Sequence, residues 1–204
     1  MTVYVESNFV LAIALGQEDA EAATTILELA EQGRIAVAFP ALALTEPFST
    51  VTHRGRVRRQ VSGLLNDQIR ELRRSTPHQD IVDTLQAIPV ALVDLEKREI
   101  DLLEATVRRL LVVGRSIPLD ELVFARALSD QSRFDLSPQD AIIFASVISD
   151  LSGMSQSRHN LFISKNWKDF GDPGITADLR SSNCAYAESF PTALNLVNGW
   201  LPDS

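Results

Sequence analysis

Val3-Tyr4-Val5-Glu6-Ser7-Asn8-Phe9-Val10-Leu11-Ala12-Ile13-Ala14-Leu15-Gly16 carries the reading that decides the fold. Val3 to Val5 is a short apolar run without polar alternation, the pattern of a strand covered on both faces. Glu6-Ser7-Asn8 interrupts it, and Phe9 to Leu15 then reads as a helix stopped by Gly16. The same alternation continues outward. Glu18 to Gln32 places Ala22, Ala23, Ile26, Leu27 and Ala30 on one helical face and stops at Gly33. Ile35 to Phe39 is a second apolar strand ended by Pro40, and a helical stretch bearing Glu46 follows. Residues 61 to 88 read as an amphipathic helix, Pro89 to Leu95 as a third buried strand and Glu96 to Val113 as a further helix. Gly114 to Pro118 reads as a break and Leu119 to Ser129 as a short helix. Ser137 to Leu151 is a strong helix, Leu161 to Ser164 a fourth strand, Asn183 to Ala187 a fifth, and Pro191 to Leu201 a closing helix. Apolar strands separated by helices predict βαβ crossovers, hence an α/β fold with a parallel sheet.

Composition narrows the function classes. The 204 residues are 45% hydrophobic and 23% charged, the balance of a globular chain able to bury a core without disulfide or structural metal. The single cysteine, Cys184, has no partner in the chain and no metal or redox spacing around it, so it reads as a small buried hydrophobe in a reducing, cytoplasmic setting. The amino-terminal residues lack a basic region and reach a carboxylate at Glu6, which argues against a signal peptide or anchor, and no apolar run is long enough for a membrane span. A net charge of −8 opposes a nucleic-acid partner on its face. Its distribution points the other way. Arg54, Arg56, Arg58, Arg59, Arg70, Arg73 and Arg74 stand against only Asp67 and Glu71 between positions 54 and 74, whereas the other residues carry 12 basic and 25 acidic groups. That segment reads either as a phosphate-binding stretch or as a solvated helix face.

Ligands of open α/β sheets bind beyond the carboxyl ends of the strands, which directs attention to four acidic positions. Glu6 ends the first strand, Glu46 follows the second, Asp140 opens the helix near residue 140, and Asp169 with Asn166 follows the fourth strand. Each has a structural alternative. Ser137-Pro138-Gln139-Asp140 is a capping arrangement, Asn166-Trp167-Lys168-Asp169 another, Glu46 precedes Pro47 as a turn acid would, and Glu6 precedes the polar residue Ser7. Several acids converging at one sheet edge would repel one another unless protons or a divalent cation neutralised them. Oxygen ligands without a histidine or cysteine cluster favour Mg²⁺ or Mn²⁺, whose chemistry suits phosphodiester hydrolysis. His53 is read as a surface or phosphate-contacting residue, His78 and His159 take no role, and Trp167 and Phe170 read as core residues before base-stacking ones.

Four short segments in order, Val3 to Leu11, Leu44-Thr45-Glu46, Leu136 to Ala145 and Phe162 to Phe170, resemble the PIN-domain nucleases, including the toxin-type endoribonucleases. The resemblance covers about residues 2 to 50 and 134 to 190. It implies a three-layer α/β/α fold with a central parallel sheet and a Mg²⁺- or Mn²⁺-dependent endonuclease that cleaves RNA, with DNA as the other substrate class. On that resemblance Glu6, Glu46 and Asp140 match the family's first three acids, and Asn166 or Asp169 the fourth. Glu6, Asp140 and Asp169 are the implied metal ligands. Glu46 completes the catalytic set, while Asn8, Ser164 and Asn166 support it. The seven arginines are the candidate nucleic-acid contacts.

Two departures from the family pattern stand out. Glu6 replaces the usual aspartate, and its extra methylene moves the carboxylate by about one C–C bond in a site where Mg²⁺ demands near-octahedral geometry. The chain is also longer than the compact toxin members, the surplus forming a helical insertion around 52 to 133 of one domain spanning 1 to 204. The first departure motivates an alternative reading, a catalytically degenerate module that binds RNA or a protein. A small-molecule phosphatase is disfavoured because no Asp-x-Asp pair or phosphate-cradling glycine loop is present. The resemblance further implies an antitoxin-like protein partner for some members, and an exposed apolar helix in the insertion would suit a homodimer.

Overall fold

The structure, a computed structural model, describes residues 1–74, 76–153 and 159–201. The chain divides into two compact units, one of Met1–Pro47 with Ala105–Ser204 and one of Phe48–Glu104. The first holds every strand: β1 (Thr2–Tyr4), β2 (Ala36–Pro40), β3 (Gly114–Ile117), β4 (Asn160–Ile163) and β5 (Cys184–Ala187). They form one sheet of order β3-β2-β1-β4-β5 with every pairing parallel. Helices α1 (Ser7–Leu15), α2 (Ala20–Glu31), α6 (Glu121–Phe134), α7 (Pro138–Ser152), α8 (Trp167–Phe170), α9 (Pro173–Ser181) and α10 (Phe190–Trp200) accompany it. Helices α3 (Thr45–Leu72) and α5 (Ile88–Val113) run between the units, and α4 (Gln79–Leu85) belongs to the helical one.

Alternation along the strands assigns the two faces. Tyr4, Ala38 and Phe162 share one level of the sheet and pack with Phe144 and Val147 of α7, Val123 and Ala127 of α6, and Leu179 of α9. Val3, Val5, Val37 and Leu161 are buried on the other face, toward α1, α2 and α10, where Phe9 meets Phe190 edge-on at 5.7 Å. The result is the three-layer α/β/α arrangement expected from the sequence. Cys184 is buried in β5, where burial pushes its thiol up to about 12. Of the two aromatic residues read as core, Phe170 is buried edge-on against Phe162 at 5.1 Å, but Trp167 is 59% exposed.

Several elements differ from the sequence reading. Pro89 to Leu95 is not a strand but the opening turns of α5, with Val90 and Val93 exposed. A short apolar run reads equally as strand or helix, and proline at the second helical position favours the helix. The strand that takes its place, β3, lies in the segment read as a break. A Cβ at Gly114 would stand 2.8 Å from the Leu110 carbonyl oxygen and 3.0 Å from the Phe39 ring, so glycine permits β3 to approach β2 there. The helix expected over 61 to 88 is interrupted by a 3₁₀ turn at Thr76–His78, in which Pro77 supplies no backbone donor. The helical unit covers Phe48–Glu104, whereas residues 105 to 133 lie with the sheet. The polar segment Ser152 to Asn160 falls mostly outside the described residues. No helix among the described residues is long and apolar enough to cross a membrane.

One polar triad fastens α7 to the sheet. The Tyr4 hydroxyl donates to Asp150 at 2.7 Å, and Arg115 of β3 donates to both carboxylate oxygens of Asp150 at 2.6 Å. Burial pushes the Asp150 carboxyl up, but the hydrogen bonds from Arg115 and Tyr4 outweigh it and hold the group below its ordinary value of 3.8. Asp150→Ala therefore lowers stability by about 1–3 kcal/mol at pH 7, by removing the acceptor that the Tyr4 hydroxyl and the Arg115 guanidinium share. Because a depressed carboxyl stabilises only while ionised, the difference in thermal unfolding between wild type and variant narrows as the pH falls below about 4.

Candidate active site

The parallel sheet brings the carboxyl ends of β1 and β4 side by side, since Tyr4 is paired with Phe162. The next residues, Val5-Glu6 after β1 and Ser164-Lys165-Asn166 after β4, therefore emerge together. Glu46 joins them from the first turn of α3, after a 3₁₀ turn at Ala41–Leu44, and Asp140 from the first turn of α7. Glu6, Asn8, Gln17, Glu46, Gln139, Asp140, Lys165 and Asn166 line one cleft of about 370 Å³. A larger recess at the other end of the sheet, of about 420 Å³ and lined by His159, Arg180 and Trp200, contains none of the acids singled out in the sequence.

Glu6 has two roles, one for each carboxylate oxygen. Its extended backbone makes it the N-cap of α1, and Oε2 accepts a hydrogen bond from the Asn8 backbone N–H at 3.0 Å. Oε1 is buried without a hydrogen-bond partner among the described residues. With 4% of the residue exposed, burial raises the carboxyl to about 7, a rise opposed by Asn8 and Ser164 and reinforced by the negative charge of Glu46. Asp140 also fulfils the structural role foreseen for it. Its backbone N–H donates to Ser137 Oγ at 3.1 Å, and the Ser137 hydroxyl donates to Asp140 Oδ2 at 2.6 Å. Burial raises its carboxyl, Asp169 and Glu46 add to the rise, and the hydrogen bonds of Ser137 and Asn166 oppose it.

The fourth acidic position is shared. Asn166 lines the cleft, and its side-chain amide donates to Asp169 Oδ2 at 2.6 Å instead of capping α8. Asp169 stands behind Asn166, outside the lining, yet close enough for its charge to act on Asp140. Ser164 is fully buried beneath the cleft, with its Oγ accepting from the Asn166 backbone N–H at 3.1 Å. The acids surround the cleft without converging: among the described residues no three of His, Cys, Asp and Glu form a group that could hold a metal ion.

Gln17, Gln139 and Lys165 are cleft residues that the sequence reading passed over. Lys165 is the one cation of the lining, held by Asp19 at 3.2 Å and 5.9 Å from the Phe190 ring centre. Its place directly after Ser164 at the end of a strand was the available signal.

The arginines all fall in the helical unit, in α3 or just beyond it. Arg58 donates to both carboxylate oxygens of Glu99 at 2.6 and 2.7 Å, Arg59 pairs with Glu96, Arg70 with Asp67 at 3.3 Å, and Arg73 bonds Gln86 at 2.9 Å. Arg54, Arg56 and Arg74 are exposed and have no ion pair among the described residues. Residues 48 to 104 contain nine basic and nine acidic groups, so the net −8 belongs entirely to the sheet-bearing unit. His53 is exposed beside Arg56, and His159 stacks on Trp200 at 5.0 Å.

Fold and site together define a parallel α/β protein with an acidic cleft at the carboxyl edge of its sheet. No protein-family model matches the chain, and no curated protein matches it in sequence. The crystal structure of VapBC2 from Rickettsia felis bound to a DNA fragment from their promoter contains a chain similar to this one at a TM-score of 0.44 and 11% identity, over 92% of this chain and 98% of that one. The likeness concerns the course of the backbone and carries nothing about chemistry.

The raised Glu6 carboxyl has a measurable consequence for stability. Its folded-state value of about 7 lies above the ordinary 4.5, so its contribution is most favourable below pH 4.5, declines between pH 4.5 and 7, and stays low above. Glu6→Gln removes the ionisable group and should stabilise the metal-free chain at pH 8 by up to about 3 kcal/mol, with the gain fading toward pH 4.5. Thermal unfolding in chelator across that range measures it.

Proposed function

We propose that this chain is a PIN-like, divalent-metal-dependent endonuclease that hydrolyses phosphodiester bonds in RNA. The observation that carries the reading is the buried, unpartnered Oε1 of Glu6 in a cleft whose other acids are Glu46 and Asp140. A carboxylate oxygen without a donor is costly in a fold and suits a cation ligand. The lining fits Mg²⁺ or Mn²⁺ because its donors are carboxylate and amide oxygens, without thiol or imidazole. Glu6, Asp140 and, behind Asn166, Asp169 would hold the ion. Bound there, Mg²⁺ or Mn²⁺ lowers the pKa of water and offsets charge on a phosphoryl group.

The chain's own residues supply the remainder. Glu46 orients the attacking water and accepts its proton. Asn166 fixes Asp169 by its 2.6 Å hydrogen bond, Ser164 fixes the Asn166 backbone, and Asn8 holds Glu6 by its capping oxygen. Arg56 and Arg74 offer unpaired positive charge to a phosphate backbone.

The test begins with metal, because cleavage depends on an unidentified substrate sequence. Mn²⁺ titrated into wild type and Asp140→Asn, followed by electron paramagnetic resonance, is expected to bind wild type in the roughly millimolar range of a few-carboxylate site and to lose the variant. On RNA, Asp140→Asn should reduce cleavage by about 100-fold or more with the fold unchanged by circular dichroism. Equal metal binding by both chains overturns the assignment of Asp140.

A second reading, a non-hydrolytic RNA- or protein-binding module, is favoured by the deep burial of Glu6 and by acids that line the cleft without converging. Glu6→Asp separates the two. Unchanged cleavage is the outcome expected of a site built for glutamate, whereas a gain of about 10-fold or more in both Mn²⁺ affinity and cleavage identifies a site disabled by the longer side chain.

A further inference from the structure

The turn from β4 into α8, Ser164-Lys165-Asn166-Trp167, brings two side chains to the cleft that its acids do not account for, Lys165 and Trp167. The backbone is tied on both sides of Lys165. The Ser164 carbonyl accepts from the Tyr186 hydroxyl at 3.0 Å, the Ser164 Oγ accepts from the Asn166 N–H at 3.1 Å, and the Asn166 carbonyl accepts from the Phe170 N–H at 3.0 Å. Phe170 is buried and anchors the short helix, so both side chains are carried on a fixed frame.

Lys165 is a cation in an acidic cleft, yet it forms no ion pair with Glu6, Glu46 or Asp140. Its ammonium donates instead to Asp19 at 3.2 Å and stands 5.9 Å from the centre of the Phe190 ring. Asp19 precedes α2 with a left-handed backbone, φ 69°, and makes no side-chain cap to that helix, so its carboxylate holds Lys165 instead. A partly exposed ion pair of this kind adds little to stability. An ammonium has three N–H donors, and Lys165 has no second hydrogen-bond acceptor among the described residues. It is a positioned positive charge with donors left for a ligand, in a cleft whose other charged groups repel an anion.

Two residues further on, Trp167 is 59% exposed and is the largest side chain among the exposed apolar residues described. It opens α8 directly after Asn166, which lines the cleft. Two residues of chain reach at most about 7 Å, so a cation with free donors and an exposed indole are rooted within that distance of one another beside one cleft. An ammonium recognises a backbone phosphate, and an aromatic plane recognises a base stacked on it. A base reaches a protein ring only after leaving its own helical stack, so this pair of groups suits an unpaired strand.

We infer that the segment Lys165–Trp167 grips the strand beside the scissile bond: Lys165 holds a backbone phosphate, Trp167 stacks on an adjacent base, and the strand enters unpaired. The inference rests on the reading of the cleft as a nuclease site and adds to it the residues that select the form of the substrate.

Trp167 is its own probe, because the chain has two tryptophans and Trp200→Phe leaves this one as the single indole emitter. That chain is titrated with a single-stranded oligouridylate in Ca²⁺, which takes the same oxygen donors as Mg²⁺, and strand length is checked on a gel. The single strand is expected to quench the emission, and an RNA duplex of the same length to bind about tenfold more weakly or worse. With an end-labelled strand followed by anisotropy, Trp167→Ala should weaken binding by about tenfold at unchanged helicity, and Trp167→Phe should recover most of it. Lys165→Met should weaken binding by about fivefold or more and lower the slope of log affinity against log salt by about 0.7, the share of one phosphate contact, whereas Lys165→Arg should keep the slope. A single strand that binds without quenching, or a duplex that binds and quenches equally, overturns the stacking on Trp167. An unchanged salt slope in Lys165→Met overturns the phosphate contact. Absence of binding by either nucleic acid overturns the whole inference and leaves the exposed indole to a protein contact. Quenching by a chain that binds no Mn²⁺ overturns the metal-dependent nuclease reading alone and supports the grip.

Discussion

One carboxyl group constrains the sheet-bearing unit more than any other. Glu6 leaves the central strand where the chain must turn from sheet to helix, and one of its oxygens is committed to the Asn8 backbone N–H as the cap of α1. The cap fixes the backbone and brings the carboxyl under the protein surface, where the other oxygen is buried without a hydrogen-bond partner among the described residues. A fold can tolerate this in two ways: by keeping a proton on the group, as its value of about 7 indicates, or by holding a cation beside it. The other parts of the cleft follow from that choice. Glu46 and Asp140 add negative potential around Glu6, while Asn8, Ser164 and Asn166 provide fixed dipoles.

Structural and chemical roles coincide in these residues. Asp140 caps α7 with Ser137 and lines the cleft, and Ser164 is both the floor of the cleft and the acceptor that sets Asn166. Capping explains why each residue is present at its helix start, and topology explains why the helix starts are neighbours. In a sheet of parallel strands every crossover helix begins at the same edge, so polar residues that cap these helices are gathered whether or not a ligand binds. The unpartnered oxygen distinguishes this edge from a set of caps. Among the buried side-chain oxygens and nitrogens described at this edge, the Glu6 Oε1 is the one without a hydrogen-bond partner.

Charge is distributed by unit. The sequence shows a block of arginines, and the fold places the acids of α5 against part of it, so that Arg58 and Arg59 are spent on Glu99 and Glu96 within a helical unit of zero net charge. Beside these pairs the unit exposes apolar side chains from both long helices, Val57, Val61 and Leu64 of α3 and Val90 and Val93 of α5 among them. The cleft sits in the unit with the net negative charge, and the unpaired arginines sit in the neutral one.

The sequence by itself determined the α/β class, four of the five strands, and the acids of the cleft. Those features rest on local patterns: unbroken apolar runs for buried strands, and Ser-Pro-x-Asp or strand-then-acid junctions at helix starts, each complete within a few residues. It assigned Pro89–Leu95 to the sheet and missed β3, because a short apolar run carries no period that tells strand from helix, and because Gly114 earns its place only through Phe39 of a distant strand. The tertiary structure alone decided that Asp169 stands behind Asn166, that Lys165 joins the cleft, which arginines are neutralised, and that one oxygen of Glu6 is without a partner. Each of these is a relation between side chains that the fold brings together from separate segments, and burial, which sets their charge and hydrogen bonding, exists only once the chain has closed around them.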